Sequence, residues 1–96
     1  MRILALEVEK PEATTAAFKP LLLEEAKKVW KFYQEDFIRD IYFRADGTSA
    51  VLMLECRDVD EAKQKLSELP LVSAGLIDFD LIPLIPYPGF SRLFAS

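Results

Sequence analysis

Residues 37–56 read Phe-Ile-Arg-Asp-Ile-Tyr-Phe-Arg-Ala-Asp-Gly-Thr-Ser-Ala-Val-Leu-Met-Leu-Glu-Cys, and this run decides the fold. Asp46-Gly47 lies between two stretches of alternating character, a strong short-range hairpin signal because both residues accept positive φ. Two strands are therefore expected, about Phe37–Ala45 and Thr48–Cys56. With a two-residue turn, Ala45 faces Thr48. Phe43 then pairs with Ala50, Ile41 with Leu52 and Arg39 with Leu54 on one face. Tyr42 pairs with Val51, Asp40 with Met53 and Ile38 with Glu55 on the other.

Towards the N-terminus, Pro20 suits a first helical position, where its missing N–H costs nothing. Leu22, Ala26, Val29, Trp30 and Tyr33 then recur at helical spacing as an apolar stripe. Glu24, Lys27, Lys28 and Lys31 take the wet side, with Glu24 and Lys28 placed for an i,i+4 pair. Thr14 or Thr15 is an alternative, earlier start. Before the helix, Arg2–Glu9 alternates as a half-buried strand. Leu4, Leu6 and Val8 are assigned to its inner face, and Ile3, Ala5, Glu7 and Glu9 to its outer face.

Towards the C-terminus, Asp58 reads as an N-cap with Glu61 completing a capping box. Ala62, Leu66 and Leu69 line that helix, and Pro70 ends it. After Gly75 a last strand, Leu76 to about Leu84, alternates Ile77, Phe79 and Leu81 against Asp78 and Asp80. Pro83, Pro86 and Pro88 keep the remaining residues off any central ladder. The order is β-α-β-β-α-β. This is an α+β, ferredoxin-like domain over residues 1–96, a four-stranded antiparallel sheet with two helices on one face and a tail at residues 87–96.

Composition narrows the chemistry. The 96 residues carry 16 acidic and 12 basic side chains, a net charge of −4, and 51% are hydrophobic. That is enough for a packed core, although so short a chain buries a modest share of its surface and gains from a partner subunit. Histidine is absent and Cys56 is the only cysteine. Histidine-based triads, an internal disulfide and Cys/His zinc sites are therefore excluded. The acidic balance without a basic stripe argues against nucleic acid. Glu7 interrupts the N-terminal apolar run too early for a signal peptide, and Leu81–Ser91 is too short to span a bilayer. A cytoplasmic protein is expected, with no membrane partner.

On this register the outer sheet face mixes Ile3, Ala5, Val51 and Met53 with Glu7, Asp40, Tyr42, Arg44, Glu55, Asp78 and Asp80. Such a mixture suits packing against a second copy around a partly polar cavity, so a homo-oligomer, at least a dimer, is expected.

Four stretches then carry a resemblance: Gln34–Arg44, Val51–Cys56, Asp60-Glu61-Ala62 and Leu69-Pro70-Leu71. In spacing they resemble the muconolactone isomerase family, over most of the chain from Met1 to about Pro86. The resemblance implies a dimeric α+β barrel in which two ferredoxin-like sheets face each other. It also implies a proton shift on an unsaturated lactone without any cofactor. The chain departs from that family in lacking histidine and in its Pro86–Phe94 ending, as a separate branch sharing the fold would.

Proton transfer next to a carbonyl needs a carboxylate base and a donor for the enolate oxygen. Without histidine, Glu55 or Glu7 is the expected base and Tyr42 or Arg44 the expected electrophile, all four on the barrel face. The plainer alternative is that Tyr42 and Arg44 pair with Glu55, Asp78 or Asp80 across a dimer. Glu35 matches a family position but reads as a solvated turn residue. Trp30 and Tyr33 could line a pocket mouth, yet at helical spacing they read first as core. Cys56 reads as a buried, inert thiol. Asp58–Glu61 lacks the loop and glycine of a calcium site. Phe90, Leu93 and Phe94 exceed what the core can receive and are expected to anchor the tail on a partner subunit, with a fold-back on its own chain as the alternative. Two functions are carried forward: a cofactor-free isomerase, and a non-catalytic dimeric module that binds a small molecule or a protein.

Overall fold

A computed structural model describes residues 1–47 and 49–95. Strand β1 (Arg2–Glu9) is followed by a short helix α1 (Thr15–Phe18), a 3₁₀ turn (Lys19–Leu21) and helix α2 (Leu22–Gln34). The hairpin strands β2 (Ile38–Phe43) and β3 (Ala50–Glu55) come next. Helices α3 (Val59–Leu66) and α4 (Pro70–Ser73), strand β4 (Ile77–Leu84) and a terminal 3₁₀ turn (Gly89–Leu93) complete the chain. The sheet is antiparallel with order β2-β3-β1-β4. The chain has the expected α+β, ferredoxin-like architecture.

The hairpin register is as expected near the turn: Phe43 faces Ala50, Ile41 faces Leu52, Tyr42 faces Val51 and Asp40 faces Met53. Further along it departs. A bulge at Arg39 pairs Ile38, rather than Arg39, with Leu54. The unbulged register would have turned a guanidinium into the apolar face beneath the helices. The extra residue sends Arg39 to solvent and buries Ile38, which avoids an uncompensated buried charge. The turn differs too. Neither Asp46 nor Gly47 has positive φ; the Gly47 amide donates to the Arg44 carbonyl at 3.3 Å and the Arg44 amide to the Ser49 carbonyl at 3.0 Å. The expected pairing of Ala45 with Thr48 lies outside the described residues.

Strand β1 faces the opposite way to the sequence expectation. Ile3 and Ala5 are fully buried, opposite Leu54 and Leu52. Leu4 and Leu6 are half-buried on the open face, with Val8 more exposed. Partners in an antiparallel ladder share a face. Once Leu52 and Leu54 point at the helices, this register takes Ile3, Ala5 and Glu7 with them.

Helix α2 is also rotated about its axis relative to the expected stripe. Phe32 is only 2% exposed and Val29 is half-buried, whereas Trp30 is 59% exposed and Tyr33 stacks on it from the flank. Trp30 and Tyr33 are thus not core. The inward stripe is Glu25, Val29 and Phe32, with Phe32 packed edge-on against Phe37 at 5.1 Å. Glu24 pairs with Lys27 at 3.3 Å rather than with Lys28, which reaches Glu68 of the α3–α4 connection at 2.9 Å.

Thr14 caps α1, accepting from the Ala17 amide at 3.0 Å, and Pro20 falls within the 3₁₀ turn. Asp58 caps α3, accepting from the Glu61 amide at 2.8 Å. The Glu61 carboxylate returns to the Arg57 amide, one residue before the cap. Ala62, Leu66 and Leu69 are buried as expected. Pro70, however, occupies the first position of α4 and so begins a helix after α3 has ended.

Candidate functional site

Strand β2 runs beyond the cover that α2 provides. Ile41 and Phe43 point to the helix side but remain exposed, and the sheet floor beside them is the small residue Ala50. A cavity of about 280 Å³ results, between α2, α4 and the helix side of the sheet. Its walls are Val29 and Leu22 of α2, Leu69 and Leu71 at α4, and Leu52 and Phe79 of the sheet. Among the described residues, its charged lining side chains are two acids, Glu7 of β1 and Glu25 of α2. Ala26, Val29 and Ile41 continue outward from this cavity into a shallow groove bordered by Trp30 and Tyr33, so that pair stands beside the mouth.

Both carboxylates are held in the same manner. Glu7 Oε1 accepts from the Ala50 amide at 3.2 Å, and Glu25 Oε1 accepts from the Leu71 amide at 3.0 Å. Leu71 lies in the first turn of α4, so Glu25 satisfies a helix amide that has no intrahelical partner. Burial in apolar surroundings raises the pKa of each group. The backbone bonds oppose that rise, and neighbouring charge adds to it: Glu9 acts on Glu7, and Glu7 acts on Glu25. Desolvation makes the protonated form of each acid more accessible than it is in water. An acid so placed can accept a proton as a carboxylate or donate a hydrogen bond as a carboxylic acid.

The four residues expected at the site do not converge. Glu7 alone enters the cavity, because β1 presents it to the helix side. Tyr42 is 65% exposed on the opposite, open face. Arg44 grips Asp46 beyond the end of β2 through bonds of 2.9 and 2.7 Å. Glu55 ends β3 beside the N-terminal ammonium at 2.8 Å and Arg2 at 3.6 Å. The hydrogen bond from that ammonium holds its pKa below the usual carboxylate range, the opposite of the change at Glu7. Glu35 caps α2 and faces Lys31 at 3.8 Å, a solvated position. The Cys56 thiol is partly buried and donates to the Asp58 carbonyl at 3.4 Å; burial raises its pKa, which disfavours a thiolate.

Glu25 is the cavity residue that the sequence reading missed. A signal was present: Leu22, Glu25, Val29 and Phe32 keep three- and four-residue spacing, and an acid interrupts an otherwise apolar stripe. Among the described residues, no three His, Cys, Asp or Glu side chains stand together as a metal site.

No protein-family model matches the chain, and no curated protein matches it. A search of solved structures does find a likeness. The crystal structure of muconolactone isomerase at 3.3 Å resolution superimposes with a TM-score of 0.75, covering 92% of each chain at 18% identity. The chain has the muconolactone isomerase fold. At that identity the likeness establishes the fold.

Proposed function

We propose that this chain is a cofactor-free isomerase of the muconolactone isomerase type, which moves a proton along a small unsaturated lactone or related carbonyl compound. The carrying observation is the pair of half-buried carboxylates in an apolar cavity, each anchored through one oxygen to a backbone amide. Glu7 as carboxylate takes a proton from carbon next to the conjugated system. Glu25 as carboxylic acid donates a hydrogen bond to the carbonyl oxygen while the enolate forms. Glu7 then returns the proton to a different carbon of the same system, so the substrate is isomerised and the protein is unchanged. A cavity of about 280 Å³ suits a single small ring.

The test is proton exchange in D₂O, followed by NMR on a panel of unsaturated lactones and enones. Wild type is expected to exchange and isomerise at least one compound, and Glu7→Gln to slow it about 10²–10⁴-fold, the usual worth of a general base. If wild type exchanges none of them, the enzyme reading falls. A second reading, a non-catalytic small-molecule binding module, is favoured by the lack of a hydroxyl or cation among the described side chains that line the cavity. Saturable binding without exchange is its signature.

The working form in this proposal is a homo-oligomer, at least a dimer, in the cytoplasm. Leu4, Leu6, Val51 and Met53 give the open sheet face an apolar centre that its own chain leaves partly exposed. Tyr87, Phe90, Leu93 and Phe94 are all strongly exposed, Phe94 at 86%. A second copy could cover both surfaces.

A further inference from the structure

We infer that the cavity selects uncharged ligands, small lactones or enones without an ionised carboxylate, and turns anions away. This rests on reading the cavity as the ligand site and goes beyond it by naming the charge class. Three observations carry it. First, among the described residues Glu7 and Glu25 are the only charged side chains lining the cavity, and both are acidic.

Second, the cations of α2 and of the β2 end are paired with acids outside the cavity or turned away from it. Lys27 faces Glu24 at 3.3 Å, Lys28 faces Glu68 at 2.9 Å, Lys31 faces Glu35 at 3.8 Å and Arg44 faces Asp46 at 2.7 Å. Arg39 is turned out to solvent by the β2 bulge.

Third, two backbone amides at the cavity are already occupied. The Ala50 amide of β3 already donates to Glu7, and the Leu71 amide of α4 to Glu25. An entering carboxylate would find like charge, apolar walls and neither of these two amides free. An uncharged carbonyl needs one hydrogen bond, and a protonated carboxyl supplies it.

The experiment uses three matched compounds: an unsaturated lactone with a short alkyl arm, and the same lactone ending in a carboxylate or in a sulfonate. Binding to the full chain is measured by ligand-detected NMR titration at pH 7, alongside proton exchange. The alkyl lactone is expected to bind wild type at least about ten-fold more tightly than either anion, the scale of one like-charge contact in such a site. In the Glu7→Gln, Glu25→Gln double variant the gap should close to about two-fold. Glutamine keeps the carbonyl acceptor for both amides, so the cavity should persist.

A second measurement needs no variant. The sulfonate stays ionised on acidification, so its affinity for wild type should rise as pH falls through the raised range of Glu7 and Glu25, while that of the alkyl lactone changes little. The groups that act on this pair are Glu9 along β1, the two amides and the pair's own charge, Glu7 on Glu25. Equal affinity for alkyl and anionic lactones, or a gap unchanged by both the variant and acid, overturns the inference. Selectivity without exchange upholds it and removes the enzyme reading; exchange without selectivity does the reverse. If none of the three compounds binds, both fall.

Discussion

Glu25 is the residue on which the cavity depends, because it does two opposed things. Its carboxylate completes the first turn of α4, and its charge is unwelcome where it sits. The raised pKa values of Glu7 and Glu25 have a consequence for stability. Between the ordinary carboxylate value near 4.5 and the raised value, the folded chain binds more protons than the unfolded chain. Folding stability contributed by these groups is therefore present at the acid end and lost as pH rises through the raised value. Glu25→Gln keeps the acceptor and removes the charge. It should melt higher than wild type at pH 7, and the difference should vanish as pH falls towards 4.5, measured by thermal denaturation across pH. Glu25→Ala removes the acceptor as well and should cost about 1 kcal/mol through the orphaned Leu71 amide. A Gln variant that melts lower than wild type at pH 7 would contradict the burial argument.

At the scale of elements, the rotation of α2 makes a prediction that separates its two stripes. Phe32 is packed under the helix against Phe37, so Phe32→Ala should cost about 3–5 kcal/mol in chemical denaturation. Trp30→Ala, on the exposed flank, should stay within about 0.5 kcal/mol for the folded subunit. Equal costs would mean that the helix faces the sheet as the sequence stripe suggested. Helix α3 makes a smaller and independent claim. Asp58→Ala removes an N-cap bond and should cost about 1 kcal/mol, roughly 4–8 °C in melting temperature for a domain of this size. The bulge at Arg39 follows the same logic as the helix rotation. Local alternation proposes a register, and the cost of turning a charge into the core adjusts it by one residue.

The whole molecule is elongated. The radius of gyration is 15.8 Å and the longest dimension 61 Å, against about 12.5 Å expected for the radius of a compact chain of this length. The excess goes with a C-terminal segment whose aromatic and aliphatic side chains stay in solvent. Tyr87 packs edge-on against Phe90 at 5.0 Å, which braces the segment locally without bringing it onto the body. Removal of Tyr87–Ser96 should lower the mass seen by light scattering and leave the circular dichroism of the domain intact. Leu6→Lys, at the centre of the open sheet face, should do the same by a separate route. An unchanged mass in both variants would remove the tail and the open sheet face as the interface between copies.

The order of elements, the hairpin register near the turn, the Asp58 cap and the inward faces of α3 and β4 were all legible in the sequence. Each rests on interactions between residues close in the chain, or on an alternation with one plainly polar side. Strand β1 and helix α2 were not legible in the same way, because both carry apolar residues on more than one side. Alternation states that Ile3 and Leu4 point oppositely and is silent on which points inward. That choice came from the ladder between β1 and β3 and from the packing of Phe32 on Phe37, contacts made only when distant segments meet. It brought Glu7 across the sheet to Glu25 and left Tyr42, Arg44 and Glu55 on the other side. Composition had already assigned any acid–base work here to groups other than histidine; tertiary packing decided which carboxylates share a cavity, since desolvation and like-charge repulsion exist only once the groups are enclosed together.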